Sequence, residues 1–261
     1  MDIIKSVDNK KVKYAVKLRQ SAKFRQEEGL FFLEGLRLCF DASRVGISTD
    51  TVFYTTAFKN EYSKKLGLLL QNTTNYYEVS ESVMNKLTDT VTPQGIISLV
   101  KIPKCENVSA MDGLLVALDK ISDPKNLGAI SRSAEALGAK GLILSPDSCD
   151  PYSPKSLRSS MGALLRLPVF IPRDFCEALQ SLKNQGATLF SSVVDSTATD
   201  IRTITPPDKR LIIIGNEANG VSDTVKSISD QLVTIPMFGN AESFSASSAA
   251  SILIWEMQRG R

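Results

Sequence analysis

Three stretches in the second half of this chain set residues capable of chemistry at fixed spacings. The first runs Asp123-Pro124-x-Asn126-x-Gly128-x-x-x-Arg132, an amide and a guanidinium beyond a proline. The second is Gly215-x-Glu217-x-x-Gly220, a carboxylate between two glycines. The third is Ile235-Pro236-Met237-x-Gly239, followed by Glu242-Ser243-Phe244-Ser245. Glycine and proline let main-chain N–H and C=O groups approach a bound molecule closely, so such segments suit a ligand pocket. Taken singly, each also has a plainer reading. Asp123-Pro124 reads as a turn and helix N-cap, the two glycines as a tight strand-to-helix turn, and Arg132 as a surface helix residue.

Other chemistries are excluded by what the chain lacks. It contains no histidine, which removes His-dependent triads, His-ligated zinc and imidazole bases together. Any proton transfer must use carboxylates, Lys, Tyr, Cys, substrate groups or water. Cys39, Cys105, Cys149 and Cys176 form no C-x-x-C pair, and neither a disulfide framework nor a metal site is expected. Neither G-x-G-x-x-G nor a Gly-Lys-Ser/Thr phosphate loop occurs, so a dinucleotide or P-loop enzyme is poorly supported.

The elements that must position these residues follow from periodicity. The chain has 261 residues, 43% hydrophobic and 23% charged, which is globular composition. No apolar run reaches the roughly 18 residues of a membrane span, and the start lacks a signal peptide's apolar stretch. No membrane partner and a cytoplasmic location are therefore expected. Between 30 and 100, short apolar runs alternate with helical patterns, which predicts a small α/β domain. Pro103, Asn107 and Ser109 interrupt the pattern, and 104–111 is read as a linker between domains at 1–103 and 112–261. In the second domain, strands are expected at 114–118, 141–144, 169–171, 188–194, 211–214 and 232–235. Helices are expected at 127–137, 156–165, 175–183 and 247–258. This is a mostly parallel sheet sandwiched by helices. In such sheets ligands bind beyond the carboxyl ends of the strands, where all three stretches fall. They would meet if their strands lie side by side.

Net charge is only +3, but it is unevenly spread. The first 25 residues carry Lys5, Lys10, Lys11, Lys13, Lys17, Arg19, Lys23 and Arg25 against Asp2 and Asp8. That density suits a phosphate backbone as well as a solvated helix face.

In order and spacing, the three stretches resemble motifs one, two and three of the SpoU (TrmH-like) RNA 2′-O-ribose methyltransferases. Phe31-Phe32-Leu33-Glu34-Gly35-Leu36-Arg37 and Thr92-Pro93-Gln94-Gly95-Ile96 resemble, less specifically, the substrate-binding domain common in that family. The resemblance implies a C-terminal parallel-sheet α/β domain with a deep trefoil knot. It further implies a small N-terminal α/β domain similar to a ribosomal-protein-like RNA-binding fold, and a homodimer. The implied reaction moves a methyl group from S-adenosylmethionine to a ribose 2′-hydroxyl of RNA. Ribosomal RNA is favoured; transfer RNA, or a non-catalytic RNA-binding homologue, are the alternatives. Arg132 matches the catalytic arginine, with Asn126, Glu217, Ser243 and Ser245 completing the catalytic set. Main-chain groups at Gly215, Ile235 and Phe244 would contact the cofactor, and Met237 and Gly239 would line its pocket. Lys10, Lys11, Lys13, Lys17, Arg19, Arg25 and Arg37 are the RNA-binding candidates. Ser245 departs from the family pattern, which usually has Asn there, and replaces an amide with a shorter hydroxyl.

Overall fold

The computed structural model describes residues 3–105 and 112–259. Most of the expected linker, 106–111, lies outside the described residues. The chain forms two compact units, Met1–Pro103 with Tyr152–Leu165, and Lys104–Pro151 with Arg166–Arg261.

The first unit opens with α1 (Lys10–Gln20) and α2 (Ala22–Glu28). Asn9 caps α1 by accepting the Lys11 amide at 2.9 Å, and Val12, Ala15 and Leu18 form its buried stripe. The lysines between them are thereby turned to solvent. The chain continues through β1 (Leu30–Glu34), α3 (Leu36–Arg44), β2 (Thr49–Thr55), α4 (Thr56–Glu61) and α5 (Ser63–Gln71). It ends with β3 (Thr73–Val79), α6 (Glu81–Leu87) and β4 (Ile96–Lys101). The sheet order is β1-β4-β2-β3, with β4 antiparallel to both neighbours and β2 parallel to β3. The stripe of α1 packs with Phe32, Phe53, Ile97 and Leu99 of the sheet and Val83, Met84 and Leu87 of α6.

The second unit begins with β5 (Leu114–Asp119), α7 (Pro124–Ala136) and β6 (Gly141–Leu144). Next along the chain come two short helices, α8 (Pro154–Ser159) and α9 (Ala163–Arg166), in the stretch that clusters with the first unit. The second unit resumes with β7 (Val169–Phe170), α10 (Phe175–Asn184) and β8 (Thr188–Ser192). The remainder is β9 (Thr199–Asp200), a 3-10 turn at Ile201–Thr203, β10 (Arg210–Gly215), α11 (Asp223–Ile228), β11 (Gln231–Thr234) and α12 (Ala246–Gln258). Among the described residues the sheet has seven strands, all parallel, in the order β7-β6-β5-β10-β8-β11-β9. Every residue of β5 and β10 is buried, as expected of a sheet covered on both faces. Leu115, Ala117, Leu211 and Ile213 face α10 and α11. The alternate residues face the opposite side, where α12 packs on β5, β10 and α7.

Buried Arg210, 1% exposed, ties β10 to the end of α12. Its guanidinium donates to the Met257 carbonyl at 2.6 Å, to the Pro207 and Asp208 carbonyls, and to the Gln258 side chain. A cation at a helix C-terminus meets the negative end of the dipole and satisfies carbonyls that have no helical partner.

Two expectations need correction. The helix expected over 156–165 is broken, because Met161 and Gly162 take positive φ of 51° and 86°, a conformation that cannot propagate a right-handed helix. This stretch clusters with the first unit, where Tyr152 packs on Phe31 with ring centroids 4.9 Å apart and Arg158 pairs with Asp89 at 3.4 Å. The strands carrying the three stretches are also not consecutive neighbours. β8 lies between β10 and β11, so a fourth loop joins the group.

Candidate active site

The loop after β10 closes on itself. Asn216 donates its amide to the Gly220 carbonyl at 3.1 Å, and Gly220 returns a bond to the Asn216 carbonyl at 2.8 Å. The approach is so tight that a Cβ at Gly215 would lie 2.0 Å from the Gly220 carbonyl carbon. Only glycine fits there. Gly220 adds a φ of +66°, the left-handed value that lets the loop turn back.

Side chains then pin this loop to the end of β5. Asn216 donates from Nδ2 to the Lys120 carbonyl at 2.9 Å and accepts the Ala218 amide at 2.8 Å. Lys120 has a φ of +58°, and its amide donates to Ser145 Oγ at 2.8 Å. Buried Asp119 accepts the Ser222 amide at 2.8 Å. Holding a non-glycine residue at positive φ costs about 1 kcal/mol, and such strain persists only where neighbours over-determine the backbone. The hydrogen bonds on both sides of Lys120 supply that restraint.

Asn126 sits in the first turn of α7, whose start is fixed by Asp123 accepting the Lys125 amide at 3.0 Å and by Pro124. Its Nδ2 donates to Glu217 Oε1. The first and second stretches, 91 residues apart, thus meet directly. Cys149 lies nearby. Burial first, then the Asp123 and Asp150 carboxylates, push its thiol up to about 11, so it is protonated at neutral pH and unsuited to act as a base or nucleophile.

A cavity of about 590 Å³ opens at the carboxyl ends of β8, β10 and β11. That volume falls within the roughly 300–1,000 Å³ of small-molecule sites. Its wall includes Ser192–Asp195 after β8, Gly215–Val221 after β10, and Ile235, Met237, Glu242, Ser243 and Phe244 after β11. Lys226, three residues of α12 and the last residues of β10 and β11 also line it.

Of the expected cofactor residues, the structure brings Gly215, Ile235, Met237 and Phe244 to the cavity, together with Glu217 and Ser243. Gly239 is not there. It is exposed, in the bend by which residues 238–241 leave the wall before Glu242 returns to it. Ser245 is also off the wall and caps α12, its Oγ accepting the Ser248 amide at 3.2 Å. Ser and Asn are about equally good N-caps, so the departure from the family pattern preserves this role. Arg132 is exposed on α7. Glu217 is engaged by Asn126 instead, and Arg132 carries no ion pair among the described residues. Asp119, Lys120 and Asn216 fall in loops legible from sequence but were assigned no role, and the β8 loop and Ser145 were not singled out at all. The continuous apolar strand ahead of Ser192 is the signal that points to the β8 loop.

The basic segment divides in two. Lys10, Lys11, Lys13 and Lys17 are exposed, with Lys13 paired to Asp8 at 2.9 Å and Lys11 and Lys17 over the rings of Tyr77 and Phe24. Arg37 is exposed and 3.8 Å from Asp41. Arg19 and Arg25, by contrast, face inward. Arg19 donates to the Leu87 carbonyl at 2.7 Å and to that of Thr88, at the end of α6. Arg25, only 4% exposed, donates to the carbonyls of Leu18 at 2.6 Å and Arg19 at 3.0 Å, at the end of α1. These guanidiniums satisfy helix-terminal carbonyls, so Arg25 is not an open phosphate contact. The two shorter motifs also converge: Gln94 Oε1 accepts the Leu36 amide at 2.8 Å, and Gly35 donates to the Ile96 carbonyl at 3.1 Å.

No helix of the described residues is long and apolar enough to cross a membrane. Among those residues there is also no group of three or more His, Cys, Asp or Glu that could hold a metal ion.

Comparison with known proteins agrees with this geometry. Residues 9–98 match an MRM3-like substrate binding domain. An uncharacterized tRNA/rRNA methyltransferase of Synechocystis sp. is 30% identical over 98% of this chain and 93% of its own length. The 23S rRNA (guanosine(2553)-2′-O)-methyltransferase RlmP of Bacillus subtilis is 28% identical over 99% of this chain and its entire length. An AdoMet-bound rRNA methyltransferase from Sinorhizobium meliloti superposes with a TM-score of 0.89 at 27% identity, covering 99% of this chain and 97% of that one. Residues 113–255 match the SpoU rRNA Methylase family, and the chain belongs to that family.

Proposed function

We propose that this chain transfers the methyl group of S-adenosylmethionine to a ribose 2′-hydroxyl of ribosomal RNA, acting as a cytoplasmic homodimer. Residues 1–103 present the RNA and residues 112–261, carrying the trefoil knot, perform the transfer. The observation that supports this reading most is the cavity at the ends of β8, β10 and β11, tied to α7 by the Asn126–Glu217 bond.

The wall suits such a cofactor. Val193, Ile235, Met237 and Leu253 offer apolar surface to a purine, and Ser243 and main-chain groups offer polar partners. Among the described residues of the wall, the carboxylates of Asp195, Glu217 and Glu242 outnumber the one cation, Lys226, which favours a ligand bearing sulfonium and ammonium charges. When bound, S-adenosylmethionine supplies an electrophilic methyl group. Gly215, Ile235 and Phe244 would hold it through the main chain, and Met237 would pack against it.

Arg132 is assigned to the phosphate beside the target ribose. A guanidinium stays charged at any working pH, so it cannot serve as the base. Its paired N–H donors instead fix a phosphate bidentately, which orients the neighbouring 2′-hydroxyl for in-line attack. The hydroxyl proton leaves to a phosphate oxygen or to water. Asn126 and Glu217 position the start of α7, Ser243 holds the third loop, and Ser245 acts through the cap of α12. Lys10, Lys11, Lys13, Lys17 and Arg37 contact RNA phosphates. Ribosomal RNA is favoured over transfer RNA because the Bacillus subtilis relative is named for a 23S rRNA nucleotide.

Calorimetric titration with S-adenosylmethionine, then transfer assays on purified ribosomal and transfer RNA, tests the reading. Binding with label entering ribosomal RNA is expected. Label in transfer RNA alone moves the substrate, and binding without transfer to either RNA points to a non-catalytic homologue.

A further inference from the structure

Phe238 is 87% exposed in the loop that follows Met237 out of the cavity wall. Burying a phenylalanine contributes about 1.5–3 kcal/mol, so a ring left in water beside a functional cavity forgoes that stabilisation. One of its contacts is polar and specific. The Arg202 guanidinium carbon stands 5.5 Å from the ring centroid, within the range of a cation–π contact.

Arg202 is itself held in place. Its Nε lies 3.0 Å from Asp200 Oδ1, and its Nη2 lies 2.6 Å from Asp200 Oδ2. That pairing holds the Asp200 carboxyl below its ordinary value. Arg259 donates to the Arg202 carbonyl at 2.7 Å. The sheet sets the register: β9 pairs with β11 so that Asp200 lies opposite Thr234, which brings Arg202 beside the chain leaving β11. One face of the ring is thus backed by a fixed cation while the ring remains open to solvent.

We propose that Phe238, backed by Arg202, is a stacking platform for an unpaired RNA base at the rim of the methyl-donor cavity. The proposal rests on the RNA methyltransferase reading above. A lone phenylalanine offers roughly 150–250 Å², far short of the roughly 800 Å² each partner contributes to a stable protein interface. A nucleobase has a π-face of matching size. Its attached phosphate is drawn to the neighbouring guanidinium, and the site lies where a target ribose must arrive. A base stacked on an aromatic ring is held by about 1–3 kcal/mol, whatever its identity.

The test uses the full-length protein, its Phe238→Ala and Phe238→Tyr variants, and Arg202→Ala. Two readouts are followed: methyl transfer to ribosomal RNA, and quenching of 2-aminopurine in a short single-stranded RNA. For Phe238→Ala the KM for RNA is expected to rise about tenfold, with S-adenosylmethionine affinity and oligomeric state unchanged and the quenching lost. Phe238→Tyr should restore both readouts, and Arg202→Ala should raise KM less. An unchanged KM and undiminished quenching in Phe238→Ala would overturn the proposal. So would an equal loss of cofactor affinity, which makes the ring a cavity prop, or dissociation into monomers, which makes a second copy its partner. The quenching needs no turnover. A wild-type protein that quenches the probe but transfers no methyl group therefore fails the function reading while supporting the stacking site.

Discussion

The loops after β10 and β11 form two walls of one cavity, yet they are built differently. The β10 loop is closed by reciprocal main-chain bonds between Asn216 and Gly220, pinned to Lys120 and joined to Asn126 through Glu217. The β11 loop runs from Ile235 to Ser245 with residues 238–245 exposed, and it presents Phe238 and Phe244 outward. Its firm anchor is at its end, where Ser245 caps α12. One loop is a preformed floor whose geometry does not await a ligand. The other offers side chains to whatever arrives from solvent.

The sharpest way to break this distinction is Gly215→Ala. A methyl group 2.0 Å from the Gly220 carbonyl carbon must open the loop. S-adenosylmethionine affinity should fall by about 100-fold or more, corresponding to roughly 3 kcal/mol of overpacking. Calorimetry showing wild-type affinity would mean that the floor is not rigid. Asn216→Ala removes the tie to Lys120 and the Ala218 turn, and should weaken cofactor binding about tenfold by the loss of one or two hydrogen bonds. Lys10→Ala, a substitution on exposed α1 of the first unit, serves as the reference for that titration.

Ser245 tests the other loop. Ser245→Ala should lower unfolding free energy by about 1 kcal/mol, whereas Ser245→Asn should be close to neutral in both stability and turnover, as expected of a cap. Denaturant unfolding paired with the transfer assay checks both, and a large activity loss in Ser245→Asn would assign the hydroxyl a chemical role. The smallest effect concerns Cys149, beside the floor. With its thiol pushed up to about 11, iodoacetamide labelling of this residue should be slow at pH 8 and rise about tenfold per pH unit toward that value. Rapid labelling at pH 8 would show that the floor opens.

The sequence revealed these two loops unequally. Gly215, Glu217 and Gly220 announce a closed turn, because the residue types demanded by positive φ and close approach are few. The continuous apolar runs of β5 and β10 likewise announce strands covered on both faces. Strand order was not legible, because pairing of β8 between β10 and β11 is a long-range choice that local periodicity does not encode. The Ser192–Asp195 wall was missed for that reason. Charge alone also failed to separate Lys10 from Arg25, since both look like surface cations until the end of α1 claims the second. Ser245 looked like a lost amide until its backbone placed it at a helix start, where a hydroxyl serves as well.

The most direct measurement combines wild type and Arg132→Ala. Each is incubated with tritiated S-adenosylmethionine and ribosomal RNA from a strain lacking this gene, and the RNA is then hydrolysed with alkali. Ribose 2′-O-methylation blocks cleavage at the modified nucleotide, so wild type should place label in a single alkali-resistant dinucleotide. Arg132→Ala should bind cofactor normally and lose transfer by about 100-fold or more, the scale of losing a positioning and charge-stabilising group. Label in alkali-sensitive mononucleotides, or near-normal turnover by Arg132→Ala, would contradict the account.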